Sequence, residues 1–438
     1  MGFKRVVCGI ILGVALVSVG RAGFGAEPAP PADAVDGLSE LQDRLRRQDE
    51  RLDRLESQSD RPAPARPAVG ALMNPKISLD GLFAAAASSA RDLAAIETGG
   101  HDPNQRGFTV QNVELTAAAA VDPYFSATMN LVFQIDAAGA STVELEEAYL
   151  SSTALPANLQ VKAGQFFSPF GRLNPTHPHG WDFADQPIIN GRLFGPDGLR
   201  GPGLQLAYLL PLPAYAEAVV AVQNSSGETA FSFRNRPGES LFGRTSIDRP
   251  VKSADDLLLV PRLLGSVDLS ESQTIVLGTS AAFGPNASGA DTRSAIYGAD
   301  LFYKWKPLAA AFGWPYLSWQ TEVMARRYQA GATAGPPALP ETTLRDRGGY
   351  TQIVYGFQRG WSAGLRFDYS AGAGGDPALD PLRARRVRIA PDLTYYPSEF
   401  SKWRLQYSRD DLAARAHAVY SVFLQWEFLI GEHGAHKF

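Results

Sequence analysis

From residue 76 onward the chain alternates apolar and polar positions with a period of two. Tyr420, Val422, Leu424, Trp426 and Phe428 alternate with Ser421, Phe423, Gln425 and Glu427. Trp361, Ala363, Leu365, Phe367 and Tyr369 alternate with Ser362, Gly364, Arg366 and Asp368. The same pattern runs through Tyr297–Trp305 and Phe125–Ile135. Each run is about ten residues, the length of a tilted strand that crosses a bilayer. A soluble sheet facing a core alternates too, but three features favour a membrane barrel. The apolar rows end in aromatic residues, as at a lipid–water interface. The polar rows carry charge in mid-strand, at Asp300, Arg326, Arg366, Arg388 and Arg404. The final aromatic strand and the terminal Phe438 look like a signal read by the barrel-assembly machinery.

The pattern predicts sixteen strands between residues 76 and 428, paired as hairpins. One set of connections is short: Asp122-Pro123, Pro156-Ala157, Pro211–Pro213, Ser270-Glu271, Arg359 and Pro397-Ser398, with 306–314 as the exception. The other set includes the long segments 89–105, 169–200, 224–256 and 330–345. Short turns at one end and long loops at the other are the habit of such barrels. A sheet in lipid cannot leave edge amides unpaired, so it must close. The predicted fold is therefore an all-β transmembrane antiparallel barrel of about sixteen strands over 76–438, wide enough for a water channel.

The period changes before residue 76. Residues 1–26 have a basic start at Lys4 and Arg5, an apolar stretch from Val6 to Val19 and small residues up to Ala26, the pattern of a signal peptide. Residues 27–75 form a linker with a heptad segment over 38–57. Leu38, Leu41, Leu45, Leu52 and Leu55 occupy a and d positions, with Gln48 at the one missing d. So narrow a seam favours a homo-oligomeric coiled coil over a lone helix, although a solvated arm is the competing reading.

Composition narrows the remaining choices. With 45% hydrophobic and 20% charged residues among 438, the chain is no disordered polymer. A formal charge of −4 gives no footprint for nucleic acid. The single cysteine, Cys8, falls in the leader, so a thiolate metal site, a disulfide and a cysteine nucleophile are excluded.

Residues 169–200 are the candidate functional segment. They are too apolar and too proline-braced for a loose surface loop, and a packed loop of about 30 residues either folds inward or makes contacts. Folded inward, it would narrow the lumen. Its Arg172, His177, His179, Asp182, Asp185 and Arg192, facing the inward Lys162, Arg326, Arg366, Arg386, Arg388 and Arg404, would set selectivity for small solutes or ions. Arg386 and Arg388, beside Arg366 and Arg404, hint at anions. Pairing of these arginines with lumen acids such as Glu147, Glu322 and Asp368 is an equal alternative. His177-x-His179 and His433-x2-His436 are candidate metal pairs, but two ligands fall short of the three or four that zinc needs. Bracing of the loop and tail is the favoured reading, with no metal and no cofactor. His417 near Asp410 and Asp411 does not make a catalytic set, and no enzyme is expected.

At these residues the chain resembles a known group. Gly164-Gln165-Phe166-Phe167-Ser168-Pro169-Phe170-Gly171 resembles the fifth-strand segment of the phosphate-selective porin O/P superfamily. The stretch from His177 to Leu212, with Trp181-Asp182-Phe183, Asp185-Gln186-Pro187 and Gly198-Leu199, is similar to a branch often labelled zinc-regulated outer-membrane receptor. So is the tail Gly431–Phe438. The resemblance implies a trimeric porin in the outer membrane of a Gram-negative-type bacterium, lipid around it and the heptad arm in the periplasm. Lysines are few, which sets the chain apart from phosphate-selective members with their lysine cluster. A gated, metal-linked receptor or an envelope tether is the alternative role.

Overall fold

The computed structural model describes residues 75–135, 139–335 and 338–431. The leader, the heptad arm with Leu38, Leu41, Leu45, Leu52 and Leu55, and the tail with His433, His436 and Phe438 lie outside the described residues. Among the described residues, sixteen antiparallel strands close into one barrel. They are β1 (Lys76–Ser88), β2 (Gly107–Ala120), β3 (Phe125–Ile135), β4 (Ser141–Ser152), β5 (Leu159–Phe167), β6 (Arg200–Leu209), β7 (Tyr215–Gln223) and β8 (Leu258–Ser270). Then come β9 (Gln273–Pro285), β10 (Arg293–Trp305), β11 (Tyr316–Ala330), β12 (Thr342–Gln358), β13 (Trp361–Ala373), β14 (Arg386–Ser398), β15 (Ser401–Leu412) and β16 (Val419–Gly431). The closing pair is β1 with β16, in register from Ser78 opposite Gly431 to Ser88 opposite Ser421.

The alternation of the sequence becomes the two faces of this wall. Leu365, Val323 and Leu405 point outward and are at least half exposed, at 53%, 52% and 50%. Their neighbours Asp368, Gln352 and Gln406 point inward and are buried. A polar interior inside an apolar, exposed exterior is the reverse of a soluble domain, and the exterior requires lipid. Aromatic rings gather on the outside near the short turns. Trp361 stacks on Tyr395 at 4.5 Å and Trp403 on Trp426 at 6.0 Å. No helix among the described residues is long and apolar enough to cross a membrane.

Strand ends differ from the sequence-based expectation by a few residues. β14 starts only at Arg386, because Pro381–Arg383 forms a 3-10 turn. There Arg383 donates to Asp346 (3.0 Å) and to the carbonyl of Gly374 (2.7 Å), holding the loop folded over the barrel end. β12 begins at Thr342, inside the connection expected over 330–345. The long connection after β7 carries structure of its own: a hairpin of Ser240–Leu241 with Arg244–Thr245, and 3-10 turns at Glu228–Ala230 and Ala254–Asp256.

Two irregularities interrupt the wall beside the inner loop. In β2, Leu82 of β1 pairs with Asn112 and Phe83 with Val110, so Gln111 is an extra residue. In β4, Asn130 of β3 pairs with Glu147 and Leu131 with Leu145, so Glu146 is extra. A bulge turns consecutive side chains to one side. Glu146 and Glu147 are accordingly both buried in the interior.

Candidate functional site

The segment between β5 and β6 runs along the inner wall and bonds to strands on many sides of the barrel. It leaves β5 at Pro169-Phe170-Gly171. Phe170 fills the space left bare by Gly298 of β10, where a Cβ would stand 2.6 Å from the ring. Gly171 has φ +60°, a left-handed backbone that glycine adopts without strain. This turn aims two backbone amides at β11: Leu173 and Arg172 donate to Glu322 Oε1 at 2.7 and 3.1 Å. The Arg172 guanidinium lies 3.7 Å from the ring centroid of Phe302. Trp181 braces the next bend by donating Nε1–H to the Thr176 carbonyl (2.8 Å).

Beyond this bend the loop meets β12 to β15. Gln352 donates to Asp182 (2.9 Å), and Phe183 packs against Val354 and Ala390. Arg404 donates to the Trp181 carbonyl (2.9 Å), and Lys402 to that of His179 (2.7 Å). A short helix, α1 (Ile188–Phe194), follows Pro187 and ends at Gly195. The Ile188 amide donates to Asp368 (3.2 Å). The first long loop clamps the segment from above: Asp102 accepts from the amides of Gly99 and Gln186, both at 2.7 Å. Burial, with Glu97 and Asp185 nearby, pushes the Asp102 carboxyl up to about 8.

The charged side chains named from the sequence come together here, and mostly as pairs. Asp185 is one hub. It takes Arg366 at 2.9 Å, Arg388, and Gln406 at 2.6 Å. Arg388 also reaches Glu97 (2.7 Å) and Asp410 (2.6 Å), and Arg386 binds the same Asp410. Asp346 is the second hub, with Arg326 at 2.7 Å, Arg383 at 3.0 Å and Arg192 at 3.3 Å. Arg404 stands 3.8 Å from Asp392. Lys162 stands over the ring of Tyr149, 4.2 Å from its centroid. Asp410 is occupied by two arginines, so it makes no catalytic partner for His417. Sequence patterning does not single out Glu97, Glu114, Glu146, Asp346 or the hub role of Asp410. The run Glu144-Leu145-Glu146-Glu147 is a usable signal, but a strict alternation would put one of its last two carboxylates in lipid.

Burial alone would raise the Asp185 carboxyl, but Arg366 and Arg388 outweigh it and hold it below the usual carboxylate range. The loop contact it makes is therefore fully present above the unfolded carboxylate value, about 3.9. It is lost as the pH falls through the depressed folded value. The expected result is a loop that stays docked from neutral pH down to about pH 4 and undocks only in stronger acid. Conductance, or cleavage by an acid protease, recorded against pH checks this; a transition between about pH 5 and 7, below the range in which Asp102 titrates, would contradict it.

The two loop histidines lie against β2 and β4. His177 Nδ1 is 2.7 Å from Glu146 Oε2 and 3.2 Å from Glu114 Oε2, while its Nε2 lies 3.0 Å from Glu147. His179 Nδ1 is 3.2 Å from Glu114 Oε2. Burial opposes a charge on His177, but Glu114 and Glu146 raise its pKa well above the ordinary histidine value.

No family model matches the chain. A protein of Aquifex aeolicus described as uncharacterized is 31% identical over 368 residues, which span 78% of this chain and 73% of that relative. Solved structures share the architecture. The outer membrane channel DcaP of Acinetobacter baumannii matches with a TM-score of 0.53 at 11% identity, covering 82% of this chain and 98% of that one. OprB of Pseudomonas putida matches at 0.51 and 10% identity, covering 83% and 95%. An anion-selective porin from Comamonas acidovorans matches at 0.50 and 10% identity, covering 82% and 100%. At such identities the likeness is one of fold, that of the porin barrels.

Proposed function

This chain belongs to one family with the uncharacterized Aquifex aeolicus protein, and for it we propose the role of an outer-membrane porin. Small solutes or ions would diffuse passively through a lumen narrowed by residues 169–200. The observation that carries this reading is the inside-out barrel, with a polar interior traversed by a charged loop that is bonded to β2, β4 and β11–β15. Lipid surrounds the wall, and the final strand is the element offered to the barrel-assembly machinery. The motif at 164–171 supports a place in the phosphate-selective O/P-like superfamily. We infer only a weak preference for anions, because Arg326, Arg366, Arg386 and Arg388 are each bound by an acid. Permeation through an aqueous pore needs no catalysis, so we assign none.

Swelling of liposomes containing the purified protein tests the role. Small neutral sugars should enter and swelling should slow as sugar size increases. Folded protein that admits none would overturn the porin reading in favour of a gated receptor, which the near-complete burial of Asp185 and Asp368 would then explain. The heptad leucines are proposed to hold a homotrimer. Deleting 28–68 is expected to lower the temperature at which trimers separate on a gel. An unchanged separation temperature would remove that role from the arm.

A further inference from the structure

The contacts of His177 and His179 are not those of an ordinary hydrogen-bonded brace. His177 Nδ1 and Glu146 Oε2 approach to 2.7 Å, yet neither atom makes a hydrogen bond. Glu146 is 1% exposed and Glu114 2%, so water does not satisfy them freely. One atom each from Glu114, Glu146 and His177 falls within a common sphere, all within 4.8 Å of one another. His179 Nδ1 lies 3.2 Å from the same Glu114 oxygen, outside that group of three, and would complete the set by turning toward the ion. Donors bound tetrahedrally to one zinc-sized ion stand about 3.3 Å apart, given bonds of about 2.0–2.2 Å. The observed separations of 2.7 and 3.2 Å need only a small expansion to admit such an ion.

The outer contacts fit the same purpose. The Nε2 of His177 lies 3.0 Å from Glu147; in the tautomer that donates to this carboxylate, Nδ1 is left as the ligating atom. A carboxylate behind a ligating imidazole is the recurrent arrangement at metal sites. Glu114 Oε1 accepts from Asn130 (3.0 Å) and Thr116 (3.2 Å), which turns Oε2 toward the histidines. Glu146 Oε1 takes Arg200 at 3.2 Å, which turns its Oε2 the same way. The donors are two imidazoles and two carboxylates, a set suited to zinc-class ions rather than to calcium or magnesium. Three glutamates also crowd the two rings, so a bound dication lowers the local excess of negative charge.

We propose that Glu114, Glu146, His177 and His179 form a site for one divalent transition-metal ion of the zinc class, which ties the loop to β2 and β4. Sequence spacing alone offers His177 and His179 as an incomplete pair. The bulge at Glu146 and the pairing of β3 with β2 on one side and β4 on the other supply the missing ligands. The site stands whether or not the barrel conducts.

The test uses the full-length protein in detergent, stripped by a chelator and titrated with Zn²⁺ while bound metal is counted. One ion should bind per chain. Glu147→Gln, which removes the group orienting His177, should weaken binding about 10–100-fold. Glu146→Gln and His177→Asn should weaken it further. A His433→Ala/His436→Ala variant should bind as the unaltered chain does. Absence of binding, or binding that survives Glu146→Gln, overturns the proposal. So does binding that disappears with the tail histidines. If the Glu146 variant does not reach the heat-modifiable folded form, Co²⁺ in the unaltered protein decides. Strong visible absorption of a tetrahedral site supports the assignment, and its absence overturns it.

Discussion

Asp185→Ala is expected to release the loop from the barrel wall and raise single-channel conductance. The carboxylate is fully buried and receives Arg366, Arg388 and Gln406. Removing one partner of a buried ion pair costs about 3–5 kcal/mol, because a charge is left without compensation. Arg388 keeps Glu97 and Asp410, and Arg366 keeps Asp368, so the lower end of that range applies. The loss falls on loop docking, since the strand ladders do not involve this residue. At about 1.4 kcal/mol per tenfold, the undocked population should rise roughly a hundredfold. Limited trypsin digestion at Arg192 and Arg200 should accelerate with it, while the barrel keeps its heat-modifiable migration. Adding Arg366→Met should loosen the loop further, because buried Asp368 then loses its guanidinium and the Asp185 carbonyl loses its donor. Unchanged conductance and unchanged digestion would show that Asp185 does not hold the loop.

Asp346→Asn is expected to convert a balanced lumen into an anion-preferring one. Asp346 sits directly opposite Arg326 in the β11–β12 register and binds Arg326, Arg383 and Arg192. The amide has the same shape but no charge, so three guanidiniums lose their common counter-charge. Breaking such a buried set costs about 3–5 kcal/mol and should lower the unfolding temperature. Uncompensated positive charge along a pore attracts anions and repels cations. The reversal potential in a salt gradient should move in the anion-selective direction. A potential that does not move would mean that these arginines lie off the conducting path.

The barrel itself is legible in the sequence because lipid outside and polar groups inside impose a period of two on every strand. The runs at Phe125–Ile135, Tyr297–Trp305, Trp361–Tyr369 and Tyr420–Phe428 show it directly. Proline and glycine at the turns separate neighbouring runs, and the unequal connections distinguish the two ends. Less is legible where register decides the outcome. The opposition of Arg326 to Asp346, or of Arg388 to Asp410, follows from how two strands are offset, which composition does not encode. The bulges at Gln111 and Glu146 add a residue to one strand and break the alternation that marks the two faces. The loop poses a different difficulty. Its length, prolines and aromatics mark it as packed, but Asp185 meets residues about two hundred positions away. Only the closed barrel brings those partners within reach.

Planar-bilayer recording of the purified protein tests the central claim most directly. Discrete conductance steps, a small reversal potential in a salt gradient and larger steps for Asp185→Ala are the expected result. A barrel that shows heat-modifiable folding on a gel yet gives no steps, with or without that substitution, would contradict a porin narrowed by its inner loop.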